Sequence, residues 1–160
     1  MKRSKILNSE LNCAIGSMGH GDLMIVCDAG FPIPSDAWRI DLALMQDVPD
    51  LQTVLSLIAE DFIAEKVAYA ENLETNNPKL LEKVRAIFPD ADHEFVSHAQ
   101  ILTEMAAKAK VIVRTGAFDP WGNILLYSGV DVPRWFDKPG TVAPPDYARK
   151  IEIMKKRQGG

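Results

Sequence analysis

Gly19-His20-Gly21-Asp22-Leu23-Met24-Ile25-Val26-Cys27-Asp28-Ala29-Gly30 is a short apolar run bounded on both sides by glycines and ionisable residues. Leu23 to Cys27 carries no charge, is rich in branched side chains and is too short for a helix, so it predicts a central strand covered on both faces. Function then belongs to the ends of this strand. His20 precedes it and Asp28 follows it, separated by roughly 20 to 27 Å of extended chain at about 3.3 Å per residue. Unless the strand is bent or bulged, or a second subunit intervenes, the two do not meet.

The 160 residues suit one domain, and a hydrophobic content of 47% is enough to fill a substantial core. The net charge of −4 leaves no broad basic surface. Nucleic acid is therefore a poor partner, and a small, uncharged or weakly charged ligand a better one. Cys13 and Cys27 lack CxxC spacing and read as core thiols of a reducing compartment. Met1-Lys2-Arg3-Ser4-Lys5 is basic, but Ile6-Leu7-Asn8-Ser9-Glu10 breaks up any apolar signal region. No run is long enough to cross a bilayer, so the expectation is a soluble, cytoplasmic protein without a membrane partner.

Working outward, Asn8 or Ser9 caps a short helix to about Met18, with Leu11, Ala14, Ile15 and Met18 on one face. After the strand, Asp28 to Pro34 reads as a rigid loop of the kind that lines ligand crevices. Arg39 to Leu44 alternates like a half-buried strand. Pro49-Asp50 starts a helix with Leu51, Val54, Leu55 and Ile58 on one stripe. Phe62 to Tyr69 is ambiguous, with a strand expected around Lys66 to Tyr69. Asn76-Asn77-Pro78 opens a helix that ends at Pro89. Glu94 to His98 predicts a strand delivering His98 to its end, and Ile101 to Lys110 a helix. Val111 to Gly116 and Ile124 to Tyr127 predict a hairpin-like pair joined through the tight turn Asp119-Pro120-Trp121-Gly122-Asn123. Helices alternating with short apolar strands define an α/β layered domain with a mixed, mainly parallel sheet. Residues 1–130 form this domain. Residues 131–160, with Pro133, Pro139, Pro144 and Pro145, predict an extended arm, then a short helix near Tyr147 to Lys156 and a basic end at Lys155-Lys156-Arg157.

The chain has three histidines, His20, His93 and His98. Imidazole both donates and accepts near neutral pH, which suits proton transfer on a weakly acidic substrate. His20 sits between glycines, where fixing a turn is the plainer role. His93, after Asp90-Ala91-Asp92, reads as solvated. Asp28 ends an apolar strand, where a ligand hydroxyl or the loop amides serve as its partner. Asp22, Asp36 and Asp41 read as turn or surface groups. Trp121, Gly122 and Asn123 supply a ring, a close-approach glycine and an amide, the parts of a sugar site, although a hairpin turn with Trp121 in the core accounts for them too. A metal site drawn from His20, Asp22, Cys27, Asp28 and His98 has no recognisable ligand spacing. No GxxxxGK[ST], GxGxxG, GxSxG or HExxH motif occurs, which argues against cofactor-dependent chemistry.

Leu7-Asn8-Ser9, Gly19-His20-Gly21-Asp22, Val26-Cys27-Asp28-Ala29-Gly30, Pro32-Ile33-Pro34, Arg39-Ile40-Asp41-Leu42-Ala43-Leu44 and Asn123-Ile124-Leu125-Leu126, in that order, resemble the D-ribose pyranase and L-fucose mutarotase family. The resemblance runs from about Lys5 to Val130. It implies a cofactor-free, cytoplasmic isomerase acting on a monosaccharide such as ribose or fucose, and a ring-shaped homodecamer with sites at subunit contacts. It implies His20 as general acid, Asp28 and His98 as substrate-binding residues, and Trp121-Gly122-Asn123 as the third contact. Trp121 stands where the family usually has tyrosine. Gly122 is similar to the fucose-type branch, His98 and the Asp28 loop to the ribose-type branch. The corresponding chemistry is acid–base opening of a hemiacetal. A non-catalytic sugar-binding or transport-accessory protein, and a structural ring, are the alternatives.

Overall fold

A computed structural model describes residues 3 to 158, with side chains described to Met154. The basic residues Lys155, Lys156 and Arg157 at the chain's end, and Met1-Lys2 at its start, lie outside the described side chains. The elements in order are α1 (Ser9–Ser17), β1 (Leu23–Cys27), β2 (Arg39–Asp41), α2 (Leu51–Asp61), β3 (Ala64–Ala70), α3 (Asn72–Asn76), α4 (Pro78–Ile87), β4 (Asp92–Val96), α5 (His98–Gln100), a π-helical turn (Ile101–Met105), α6 (Ala106–Lys108), β5 (Val111–Arg114), β6 (Ile124–Ser128), α7 (Val132–Trp135) and α8 (Pro145–Gln158). The strands form one sheet in the order β2-β5-β1-β6-β3-β4. Three pairings are parallel; only β6 runs against its neighbours, β1 and β3.

β1 is buried at all five positions because helices cover both faces. Met24 and Val26 pack towards α1, α2 and α4, among Leu11, Leu55, Ile58 and Val84. Leu23, Ile25 and Cys27 pack on the other face, with Ile101 and Ala106. The helix starts follow local chemistry: the side chains of Asn8, Asp50 and Asn77 accept hydrogen bonds from Leu11, Thr53 and Leu80 N–H groups. Among the described residues no helix is long and apolar enough to cross a membrane.

Five expectations are corrected. β5 and β6 are not a hairpin pair, because β1 lies between them, parallel to β5 and antiparallel to β6. His98 does not end a strand: Ser97 and Gln100 form a reciprocal capping box, so β4 stops at Val96 and His98 opens α5. Cys13 is exposed on α1, whereas Cys27 is buried. His93 is half-buried, its Nε2 3.0 Å from the Phe88 carbonyl, and burial pushes its pKa down. Finally, the segment after residue 131 is not a plain extended arm. Pro133 sits in the first turn of α7, where a missing N–H costs nothing, so a helix forms where extended chain is expected; α8 is the helix expected near Tyr147 to Lys156, begun two residues earlier at Pro145, and both fold back on the domain.

Candidate functional site

The strand directions sort the candidate residues into two groups. Asp28 follows the carboxyl end of β1, His98 follows β4, which points the same way, and Asn123 precedes β6, which points oppositely. All three therefore lie at one edge of the sheet. His20 precedes β1 and lies at the other. β1 is neither bent nor bulged, so within one chain His20 and Asp28 stay apart, as their spacing predicts.

At the first edge, the Asn123 side chain is nearly enclosed, 3% exposed, and its Oδ1 accepts from the Asp28 N–H at 3.3 Å. Asp28 Oδ1 accepts from Gly30 N–H at 2.8 Å. Burial raises the Asp28 pKa above its ordinary value near 3.8, while the Gly30 and Asn123 hydrogen bonds and the His98 imidazole oppose the rise. The carboxylate opens on a cavity of about 410 Å3 with Arg114, Phe118, Asp119 and Pro120. Asp119, which the sequence reading treated only as part of a turn, is also raised, chiefly by burial and then by the negative charge of Asp47. Trp121 adopts a left-handed backbone, φ 58°, and is half-buried against both core faces. Gly122 donates its N–H to the Asp119 carbonyl at 2.9 Å, which closes the turn. The first edge thus combines a proton-hungry carboxylate, an imidazole, an amide and an indole.

Asp28 gives a stability prediction whose sign is fixed by linkage. A raised acid stabilises the fold below its ordinary value and loses that contribution as pH rises through the raised value. Asp28→Asn is therefore expected to melt at a higher temperature than the parent at about pH 7, with the difference closing by about pH 3. Thermal unfolding at the two pH values checks it, and a lower melting temperature for Asp28→Asn at pH 7 would contradict the assignment.

At the second edge, His20 Nε2 lies 2.8 Å from Glu65 Oε2. Sequence reasoning missed Glu65, which falls in the ambiguous Phe62 to Tyr69 segment. The register shifts between Ala64 and Lys66 against β6, so Glu65 is the extra residue of a bulge. A bulge re-aims a side chain out of the strand's alternation, here towards the His20 turn. Gly129 permits it, since a Cβ there would lie 2.8 Å from the Glu65 Cβ. The imidazole, its side chain 46% exposed, faces an open cavity of about 600 Å3. Among the described residues no group of three His, Cys, Asp or Glu is placed to hold a metal ion.

A six-stranded α/β layer with ionisable groups at both ends of its central strand defines a class found among solved proteins. The structure of Bacillus subtilis RbsD complexed with D-ribose matches with a TM-score of 0.77 at 33% identity, covering 81% of this chain and 98% of that one. The fucose mutarotase from Streptococcus pneumoniae, solved with L-fucose, shares the fold with a TM-score of 0.69 at 22% identity, over 81% of this chain and 99% of that one. The chain belongs to the RbsD / FucU transport protein family, whose model matches residues 1–131. Curated relatives include D-ribose pyranase 1 of Streptomyces griseus, 53% identical over 151 residues, or 94% of this chain and all of that protein. D-ribose pyranase 2 of Rubrobacter xylanophilus is 58% identical over 149 residues, or 93% and 96%. Both alignments are longer than the family match and so run into the C-terminal segment. The D-ribose pyranase of Geobacillus thermodenitrificans, 40% identical, aligns over 131 residues, 82% of this chain and 98% of that protein.

Proposed function

We propose that this protein is an isomerase that interconverts ring forms and anomers of a free monosaccharide, ribose first among the candidates. The observation that carries the reading is 53 and 58% identity to two curated D-ribose pyranases over more than nine-tenths of the chain. The geometry supports roles for its residues. Hemiacetal opening needs only two proton transfers. The anomeric hydroxyl gives its proton to a carboxylate, to which we assign Asp28 because burial raises its affinity for protons. The bond between the anomeric carbon and the ring oxygen breaks, its electron pair goes to that oxygen, and His20 supplies the proton that completes the new hydroxyl. Rotation and reclosure on either face, or through another hydroxyl, give the other anomer or ring size. His98, Trp121, Gly122 and Asn123 bind and orient the sugar.

Because His20 and Asp28 occupy opposite edges, we assign them to one site across a subunit contact, with His20 from one copy and the Asp28 edge from a neighbour. The homodecamer is the assembly we propose, and the free thiols Cys13 and Cys27 support the cytoplasm as its compartment. Magnetisation transfer between the ring-form signals of ribose, fucose and other free sugars tests the reaction. Faster exchange with protein is expected; sugar-induced line broadening without exchange would instead favour a binding or transport-accessory role.

Glu65 is a positioning residue in this scheme, orienting the His20 ring through the 2.8 Å contact. Glu65→Gln is expected to lower kcat by about tenfold with KM held, since misorientation of a catalytic group costs rate rather than affinity. A variant with unchanged kcat would remove Glu65 from the mechanism.

A further inference from the structure

The chain past the family match returns to the His20 edge. Arg134 and Trp135 of α7 line the same cavity of about 600 Å3 as His20, with Met18, Val130 and Asp131. α7 is fixed there. Val132 is buried, and Asp131 caps the helix by accepting from the Arg134 N–H at 3.3 Å. The Phe136 ring lies 5.7 Å from that of Tyr147 in α8. Lys150 of α8 lies 4.0 Å from Glu65 and 3.7 Å from Asp92, so the C-terminal helix places a cation beside the carboxylate that contacts His20. A wall held in place before a ligand arrives loses little conformational freedom on binding.

The chemistry of this wall is selective. The Arg134 guanidinium lies 3.9 Å from the Asp131 carboxylate, so the wall offers one hydrogen-bond donor group and one acceptor group side by side. Trp135 is 64% exposed and lines the same cavity as His20. An indole face next to paired hydrogen-bonding groups fits a neutral ring that has an apolar C–H face and a rim of hydroxyls.

We propose that Trp135 is a specificity-determining residue of the His20 cavity, packing its indole against the apolar face of the monosaccharide ring while Asp131 and Arg134 meet its hydroxyls. This rests on the reading of His20 as the proton donor to a sugar. It makes the segment after residue 131 part of the site, a wall that relatives aligning over about 131 residues do not share with this chain.

The test uses the full chain with Trp135→Ala and Trp135→Phe. Exchange rates are recorded over a range of ribose and fucose concentrations, the Trp135 indole N–H signal is followed by NMR in the same titrations, and oligomer mass is measured. Trp135→Ala is expected to raise the half-saturating sugar concentration about tenfold with kcat within about twofold, and Trp135→Phe to recover most of the loss. The wild-type indole signal is expected to move with sugar. An active Trp135→Ala protein with unchanged half-saturation, or one altered only in oligomer mass, overturns the proposal and leaves the mutarotase reading intact. A wild-type indole signal that moves with sugar while no sugar is exchanged keeps the wall and overturns the catalytic reading. Wild-type protein that neither binds nor exchanges any sugar overturns both.

Discussion

Replacing His20 with alanine is expected to remove between about 10²- and 10⁴-fold of the acceleration of sugar ring exchange, the range that a positioned general acid contributes. The fold is expected to survive. His20 is exposed, and among the described residues its side chain bonds Glu65, a pair at the surface and hence of small worth to stability. Glu65 also keeps Lys150 as a partner in the variant. Magnetisation-transfer NMR measures the exchange and a thermal melt controls for folding. A folded His20→Ala protein that exchanges ribose at the parental rate would remove His20 from the mechanism.

The largest expected effect on stability comes from Gly116, after β5. A Cβ there would lie 2.3 Å from the Met45 carbonyl oxygen, 2.6 Å from that of Val48 and 2.8 Å from the Val48 nitrogen. All three are backbone atoms, so no side chain can swing away. The turn at residues 45–48 must shift instead, although Asp47 N–H bonds the Gly116 carbonyl at 2.7 Å and Gly116 N–H bonds the Pro49 carbonyl at 2.9 Å. Gly116→Ala is expected to cost roughly 3 kcal/mol and to lower the melting temperature by roughly 6 to 12 °C. Gly16→Ala is the control, because an added Cβ meets nothing within 4 Å there and alanine favours the helix. Equal melting temperatures for the two variants would show that the 45–48 turn yields without cost.

Much of the fold is legible wherever a local rule suffices. Five uncharged residues mark β1, and Asn8, Asp50 and Asn77 mark helix starts because each carries a side-chain acceptor just ahead of an amphipathic stripe. Sheet order is a different kind of fact. Val111 to Arg114 and Ile124 to Ser128 are close in sequence and suit a hairpin, yet β1 fits between them, and only the packing of the whole sheet makes that choice. The glycine-flanked His20 and the strand-end Asp28 stand out as residue types in telling positions. Glu65 does not, because its role depends on a one-residue bulge that leaves no periodic signature. Trp135 is hidden by the same limit at longer range: the prolines predict extended chain ahead of the C-terminal helix, whereas Pro133 in a first turn lets α7 form at the His20 edge.

β1 is covered on both faces and paired along both sides, which makes it a spacer of fixed length between two proposed half-sites, the His20 edge and the Asp28 edge. No hinge inside the chain can bring the two together. If copies share sites as proposed, an open row of them would always leave one unmatched half at each terminus. Only a closed arrangement, either two copies set antiparallel about a twofold axis or a head-to-tail ring, uses every half. The stiffness of five buried residues thereby turns a question of catalysis into one of symmetry.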